Sequence, residues 1–246
     1  MTNFLKNTAL VFILLCFWMK LAYSEETAVL ACNEFPPYKM QNSSSGLLGF
    51  DVEFLNEAFS RVGVKPEFLY MPWKRALESA KEGKVHGICS CSKTSNRESY
   101  LTFSEPLGKA SSGLFSLAER NFPKLKTLEE VGAQSIGTIT GYNLNKKLRA
   151  AKLQNTIELD SERQGLRMLL KGRIDYYYSY EAPTRYYLAS LNMAEQVQYQ
   201  ELAFTNYFAC FSKKAAGTEE LLKKFNIGLS EIKANGTYDR ILKKYR

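Results

Sequence analysis

Residues Gly83 to Pro106 read GKVHGICSCSKTSNRESYLTFSEP. The stretch leaves a helix-ending glycine and runs into a buried strand, Val85 to Cys91. It then turns polar through Ser92, Thr94, Ser95 and Asn96 and presents one arginine, Arg97, before closing on Phe103-Ser104-Glu105-Pro106. A strand that ends in hydroxyls followed by a guanidinium suits an anion, because both make directional hydrogen bonds to carboxylates. Within this stretch alone, a structural ion pair between Arg97 and a nearby Glu is the favoured reading, since most arginines are surface or structural.

Upstream of this stretch the pattern is βαβα. Thr27–Cys32 is a short apolar strand that stops at Asn33-Glu34-Phe35-Pro36-Pro37-Tyr38, where two prolines force a rigid turn displaying Phe35 and Tyr38. Phe50, Phe54, Leu55, Ala58, Phe59 and Val62 recur at helical spacing and predict a helix over Phe50–Val62, stopped by Gly63. Pro66–Met71 is a second strand, and Pro72-Trp73 leads into a helix over Lys74–Glu82. With the quoted strand this makes βαβαβ, the order of a parallel α/β sheet with sites at its strand ends.

Downstream, strands are expected at Gly113–Ala118, Ser135–Ile139, Ile174–Ser179 and Thr205–Ser212. Helices are expected at Leu125–Val131, from Asn143 to Lys152, and at Ser161–Lys171, Ala182–Asn192, Thr218–Lys233 and Tyr238–Tyr245. Thr140-Gly141-Tyr142-Asn143 is a glycine turn opening a helix, a second place where backbone donors face an anion. Alternation sends Tyr176, Tyr178 and Tyr180 to one face, as a core strand or as a stacking wall for a flat ligand.

The N-terminus has the marks of an export signal. Lys6 precedes an apolar run of 11 residues, Ala9–Met19, and Ala22-Tyr23-Ser24 places small residues at a cleavage site after Ser24. Lys20 and the shortness of the run argue against an uncleaved anchor, and Cys16 follows Leu15 rather than a small residue, which argues against a lipid anchor. Residues 25–246 then form a chain with ample apolar material for a core and a net charge of +6 (31 Lys and Arg against 25 Asp and Glu). The basic residues are dispersed, without an aromatic-interleaved ribbon, so nucleic acid is not an expected partner.

Cys32, Cys89, Cys91 and Cys210 remain after cleavage. An oxidising compartment permits disulfides in any of three full pairings, and buried free thiols are the alternative. Cys89 and Cys91, two apart on a strand, are expected on one side and not bonded to each other. Zinc is disfavoured: there is no Cys-x-x-Cys pair, and the single histidine, His86, sits in a strand and reads as structural. Neither a metal nor a cofactor is expected.

Taken together, Gly49-Phe50-Asp51-Val52-Glu53, Trp73, Gly83-Lys84-Val85, Thr94-Ser95-Asn96-Arg97, Phe103-Ser104-Glu105-Pro106, Gly172-Arg173-Ile174-Asp175 and Asn235-Gly236-Thr237-Tyr238 resemble, in collinear order, the family 3 bacterial extracellular solute-binding proteins. The resemblance implies a two-lobed type II periplasmic binding fold in the α/β class. The implied lobes are residues 25–107 plus 206–246 and residues 108–205, joined by two hinge strands. It implies that Arg97 grips a ligand α-carboxylate, with Ser92 adding a hydrogen bond and the Gly141-Tyr142-Asn143 turn donating backbone N–H groups. Phe35 and Trp73 would pack on the ligand's side chain, beside Tyr38. Arg75, one helical step past Trp73, is a candidate second cation.

Amino-acid receptors of the family carry an acid five positions after the aspartate of the Gly-Arg-x-Asp strand, where it holds the α-ammonium. Here that position is Tyr180, with Glu181 next to it. Either Glu181 turns in, or the ligand lacks an α-amino group. The expected function is non-catalytic capture of a small carboxylate, an amino acid or a relative, by a periplasmic monomer that serves an inner-membrane ABC permease. The alternatives are an exported enzyme resembling cyclohexadienyl dehydratases, with Glu34, His86 or Glu181 as its acid or base, and a sensory binding module.

Overall fold

The computed structural model describes residues 26–41, 43 and 45–245. The expected signal peptide, residues 1–24, lies outside them. Among the described residues no helix is long and apolar enough to cross a membrane.

One eight-stranded sheet organises the chain. Its first three strands are β1 (Glu26–Cys32), β2 (Val64–Tyr70) and β3 (Gly87–Ser92), separated by α1 (Phe50–Arg61) and α2 (Trp73–Glu82). β1 lies between β2 and β3, parallel to both, as the βαβαβ pattern requires. A one-turn helix α3 (Ser95–Glu98) leads to β4 (Leu101–Leu117). β5 (Ile136–Ile139), α4 (Asn143–Ala150), β6 (Thr156–Leu159), α5 (Glu162–Leu170), β7 (Tyr176–Tyr180) and α6 (Glu181–Ser190) build a second parallel triplet with β5 in its centre. β8 (Val197–Ser212), α7 (Thr218–Ala234) and α8 (Thr237–Lys243) complete the chain.

The strand order is β2-β1-β3-β8-β4-β7-β5-β6. Two parallel triplets thus flank one long antiparallel pair, β4 with β8. Sequence periodicity captures only the ends of that pair, Gly113–Ala118 and Thr205–Ser212. Pro106, Gly108 and the serines of β4 look like strand breakers. The ladder absorbs them with register shifts at Phe103/Pro106, Pro106/Gly108 and Ser112/Gly113.

The apolar stripe of α1 packs as its spacing predicts. Phe54, Leu55, Ala58 and Phe59 are wholly buried against α7, which contributes Phe225, Leu229 and Ile232. Gly228 of α7 lets the two helices touch: a Cβ there would lie 1.9 Å from the Ala58 carbonyl oxygen. Tyr238 of α8 stacks on Phe54 at 4.1 Å. In β7, Tyr176, Tyr178 and Tyr180 face one cluster and Tyr177 the other, as alternation predicts.

Two expectations are corrected, one strand is added and one open alternative is decided. Leu125–Val131 is not an α-helix; only a 3₁₀ turn forms, at Glu129–Val131, where Lys126 N–H donates to Glu130 Oε2 instead of extending a helix. β6 has no counterpart among the expected strands, because it is four residues long, half exposed and at the sheet edge. The cysteines are paired as Cys32–Cys89 and Cys91–Cys210, not free thiols. Cys89 and Cys91 do not share a face: a register shift between Ile88 and Cys91 sends Cys89 toward β1 and Cys91 toward β8.

Candidate ligand-binding site

The carboxyl ends of β1 and β3 open toward the start of α4 and the end of β7, and a small cavity of about 70 Å³ lies between them. Its first wall is the turn after β1. Phe35 and Lys39 exchange backbone hydrogen bonds of 2.9 and 3.0 Å, which close the Pro36-Pro37 turn. The turn is fastened to α1, where Phe50 and Asp51 N–H donate to the Pro37 and Tyr38 carbonyls. Gly49 makes this approach feasible: its φ is 92° and a Cβ would stand 2.4 Å from the Tyr38 oxygen. Phe35 and Tyr38 stack at 5.3 Å and both line the cavity.

The second wall is the end of β3. Thr94 caps α3, its hydroxyl accepting from Arg97 N–H at 3.4 Å, and this short turn points Arg97 back across the strand end. Arg97 is only 7% exposed. Its Nη1 donates to the Ser92 carbonyl at 2.8 Å, and its guanidinium lies 5.0 Å from the centre of the Trp73 ring. Among the described residues, Arg97 makes no ion pair, and one of its five N–H donors is used. Ser92 Oγ is 3.4 Å from the Tyr180 hydroxyl, which donates a short bond to Asn143 Oδ1. Tyr142 stands at right angles to Phe35, with ring centres 5.9 Å apart.

The structure therefore brings Phe35, Tyr38, Trp73, Ser92, Arg97, Tyr142, Asn143 and Tyr180 around one cavity. Gly141 lines the adjoining groove, where its φ of 83° turns the chain into α4 beside Trp73. Arg75 and Glu181 are not brought in. Arg75 is exposed on α2, and Glu181 accepts from Arg185 Nε at 2.8 Å. Tyr180 ends the strand and Glu181 starts the helix, so the two side chains leave the backbone in different directions. Of the other acid or base candidates, Glu34 is exposed and accepts from Gln41 N–H. His86 accepts from Val29 N–H at 2.9 Å through Nδ1, a structural role between β1 and β3.

Six lining residues escaped the sequence reading: Asn33, Lys39, Ser90, Cys91, Ala110 and Tyr207. Lys39 is 3% exposed and donates to Ser90 Oγ at 2.8 Å. Burial pulls its pKa down to about 8; Asp51 partly restores it and Arg97 depresses it further. Asp51 lies behind the cavity wall, accepts from the Tyr207 hydroxyl at 3.0 Å and is pushed up to about 6 by burial, against the pull of Lys39. Across the cavity, Glu162 is buried next to Tyr142. It accepts from Tyr177, Ser179 and Thr184 hydroxyls at 2.7, 3.1 and 3.3 Å. Burial lifts its pKa to about 7, although all these donors act the other way. The only sequence signal for Lys39 was its place after Pro-Pro-Tyr, which reads as an exposed loop. Among the described residues, no group of His, Cys, Asp and Glu is arranged to hold a metal.

Residues 28–246 match the family model of bacterial extracellular solute-binding proteins, family 3. The arginine-binding periplasmic protein of Mannheimia haemolytica is 25% identical over 86% of this chain and 87% of its own. The histidine-binding periplasmic protein of Escherichia coli (strain K12) is 25% identical over 92% and 93%. Among solved structures, a histidine kinase sensor domain similar to periplasmic binding proteins superposes with a TM-score of 0.79 at 21% identity, over 90% of this chain and 96% of that one. These structural likenesses place the chain in the two-lobed type II periplasmic binding fold.

Proposed function

We propose a solute-capturing role for this chain, which belongs to the bacterial extracellular solute-binding proteins of family 3. The family is periplasmic, and its relatives bind amino acids. Within it, the chain captures a small carboxylate, an amino acid or a relative, without catalysis. The observation that carries this reading is Arg97: a buried guanidinium at a cavity wall, stacked on Trp73, with most of its donors uncommitted and no ion pair among the described residues. A buried cation without a counter-ion is costly, and a bound carboxylate offsets that cost. Ser92, Asn143 and the Gly141 turn supply further polar contacts, and Phe35, Trp73 and Tyr142 supply apolar area.

The cavity is lined from two lobes: Phe35, Tyr38, Trp73, Ser92 and Arg97 belong to 25–107 with 206–246, and Tyr142, Asn143 and Tyr180 to 108–205. Both boundaries fall inside β4 and β8, where Gly108 pairs with Tyr207. Bending of this pair closes the lobes on the ligand. Export through cleavage after Ser24, delivery to an inner-membrane ABC permease and a monomeric state complete the proposal.

The test is to purify the exported chain, unfold and refold it to strip carried ligand, and titrate small carboxylates and amino acids by calorimetry. Mass spectrometry of the stripped fraction supplies the first candidates. Arg97→Ala is expected to cost roughly 2–4 kcal/mol of binding, about 30- to 1,000-fold, with the fold retained. Unchanged affinity in a folded Arg97→Ala protein would show that the carboxylate is held elsewhere.

A further inference from the structure

We infer that the captured ligand carries two acidic groups, one held by Arg97 and the second by Lys39. This rests on the receptor reading above and deepens it by naming the ligand class. Both cations line the same cavity, and neither has a carboxylate within ion-pair distance among the described residues. They are anchored two residues apart on β3, Lys39 through Ser90 Oγ and Arg97 through the Ser92 carbonyl. A short, linear diacid offers one carboxylate to each.

The donor count agrees. The Lys39 ammonium has three N–H donors, and Ser90 takes one. Phe35 contributes a ring face 5.2 Å away, which does not use a donor. Asp51, the acid whose charge acts on Lys39, does not line the cavity: Oδ1 is occupied by Tyr207, and no ion pair joins it to Lys39 among the described residues. Asp51 moderates the local charge without consuming the lysine's remaining donors. Two buried cations sharing one cavity repel, since Coulomb interactions strengthen away from water. A second acidic group on the ligand relieves that repulsion, whereas an ammonium adds to it.

Among the described residues, no acid lines the cavity itself; Glu34, Asp160 and Glu162 line the adjoining groove, where Glu34 accepts from Gln41 N–H and Glu162 from the Tyr177, Ser179 and Thr184 hydroxyls. Tyr180 stands where amino-acid receptors of the family were expected to place one, and Glu181 is turned away onto Arg185. The cavity thus selects against basic ligands by charge as well as by missing partners. This separates the chain from the relatives named for arginine and histidine. The class it fits is a dicarboxylate, or a carboxylate bearing a comparable second acid, without a free ammonium.

Calorimetry on the stripped, exported chain tests this with succinate and glutarate, their monoamides succinamate and glutaramate, butyrate and L-arginine. The expected result is that a diacid binds at least tenfold more tightly than its monoamide and than L-arginine. Lys39→Met removes that preference, weakening the diacid at least tenfold while leaving the monoamide within about twofold. Arg97→Met weakens both. A diacid and its monoamide that bind alike, or L-arginine binding tighter than any diacid, overturns the second acidic group. In those cases the receptor reading stands, provided Arg97→Met still weakens binding. If none of the six compounds binds, the diacid class is overturned, while the receptor reading is decided by the wider titration of carboxylates and amino acids and by Arg97→Ala. Diacid and monoamide are compared in the unmutated chain, so the result does not depend on whether Lys39→Met folds.

Discussion

Replacing Glu162 by Gln isolates the buried acid next to Tyr142. Glu162 is 7% exposed, and its pKa is lifted from 4.5 to about 7. A raised folded-state value means that the folded chain holds the proton more tightly than the unfolded chain. The group's stabilising contribution is therefore full below pH 4.5 and is lost as pH rises through 7. The rise corresponds to roughly 3 kcal/mol between those limits. Gln cannot ionise, keeps one acceptor oxygen, and offers an amide that the Tyr177, Ser179 and Thr184 hydroxyls can accept after rotating. For a chain of this size 1 kcal/mol is about 2–4 °C in Tm, so the full effect approaches 6–12 °C. Calorimetric or circular-dichroism melts of both proteins from pH 4.5 to 8 give the readout. Glu162→Gln is expected to gain on the unmutated chain steadily across that window and to exceed it at pH 8. Asp51, also raised, remains in both proteins and drops out of the difference. Parallel Tm profiles over the whole window would refute a buried, proton-retaining Glu162.

Three further outcomes follow from packing and covalent structure. Gly228→Ala forces a methyl to within 1.9 Å of the Ala58 carbonyl oxygen; the helices must separate at a cost of about 1–3 kcal/mol, and an unchanged Tm would contradict that contact. Tyr180→Phe removes the hydroxyl shared with Asn143 and Ser92; about 1 kcal/mol of stability should go, seen as a Tm drop of about 2–4 °C, and no drop would mean that the bridge contributes nothing. Non-reducing peptide mapping should recover Cys32 linked to Cys89 and Cys91 to Cys210. The first closes a 57-residue separation, worth about 4 kcal/mol in the chain-entropy view, so Cys32→Ser with Cys89→Ser should lower Tm by about 8–16 °C; a peptide joining Cys89 to Cys91 would contradict the strand shift.

Local pattern alone determined much of this protein. The 3.6-residue stripe of Phe54, Leu55, Ala58 and Phe59, the helix stop at Gly83 and the alternation of Tyr176, Tyr178 and Tyr180 are near-neighbour properties. Each survives intact in the fold. The strand-turn-arginine of Gly83 to Pro106 is local too, because the Thr94 cap sets the direction of Arg97 within four residues. What tertiary structure decided lies where distant segments meet. Lys39 looks solvated in Pro-Pro-Tyr-Lys, and it is buried only because Gly49 lets that turn fold back onto the start of α1. Tyr180 and Glu181 are adjacent in sequence. Their opposite fates depend on a strand-to-helix change at that point and on Arg185 waiting one turn later. The cysteine pairing turned on a register shift between β3 and β8, segments more than 100 residues apart. Composition and periodicity report what a residue prefers, whereas its partner across the fold decides whether a charge is left for a ligand.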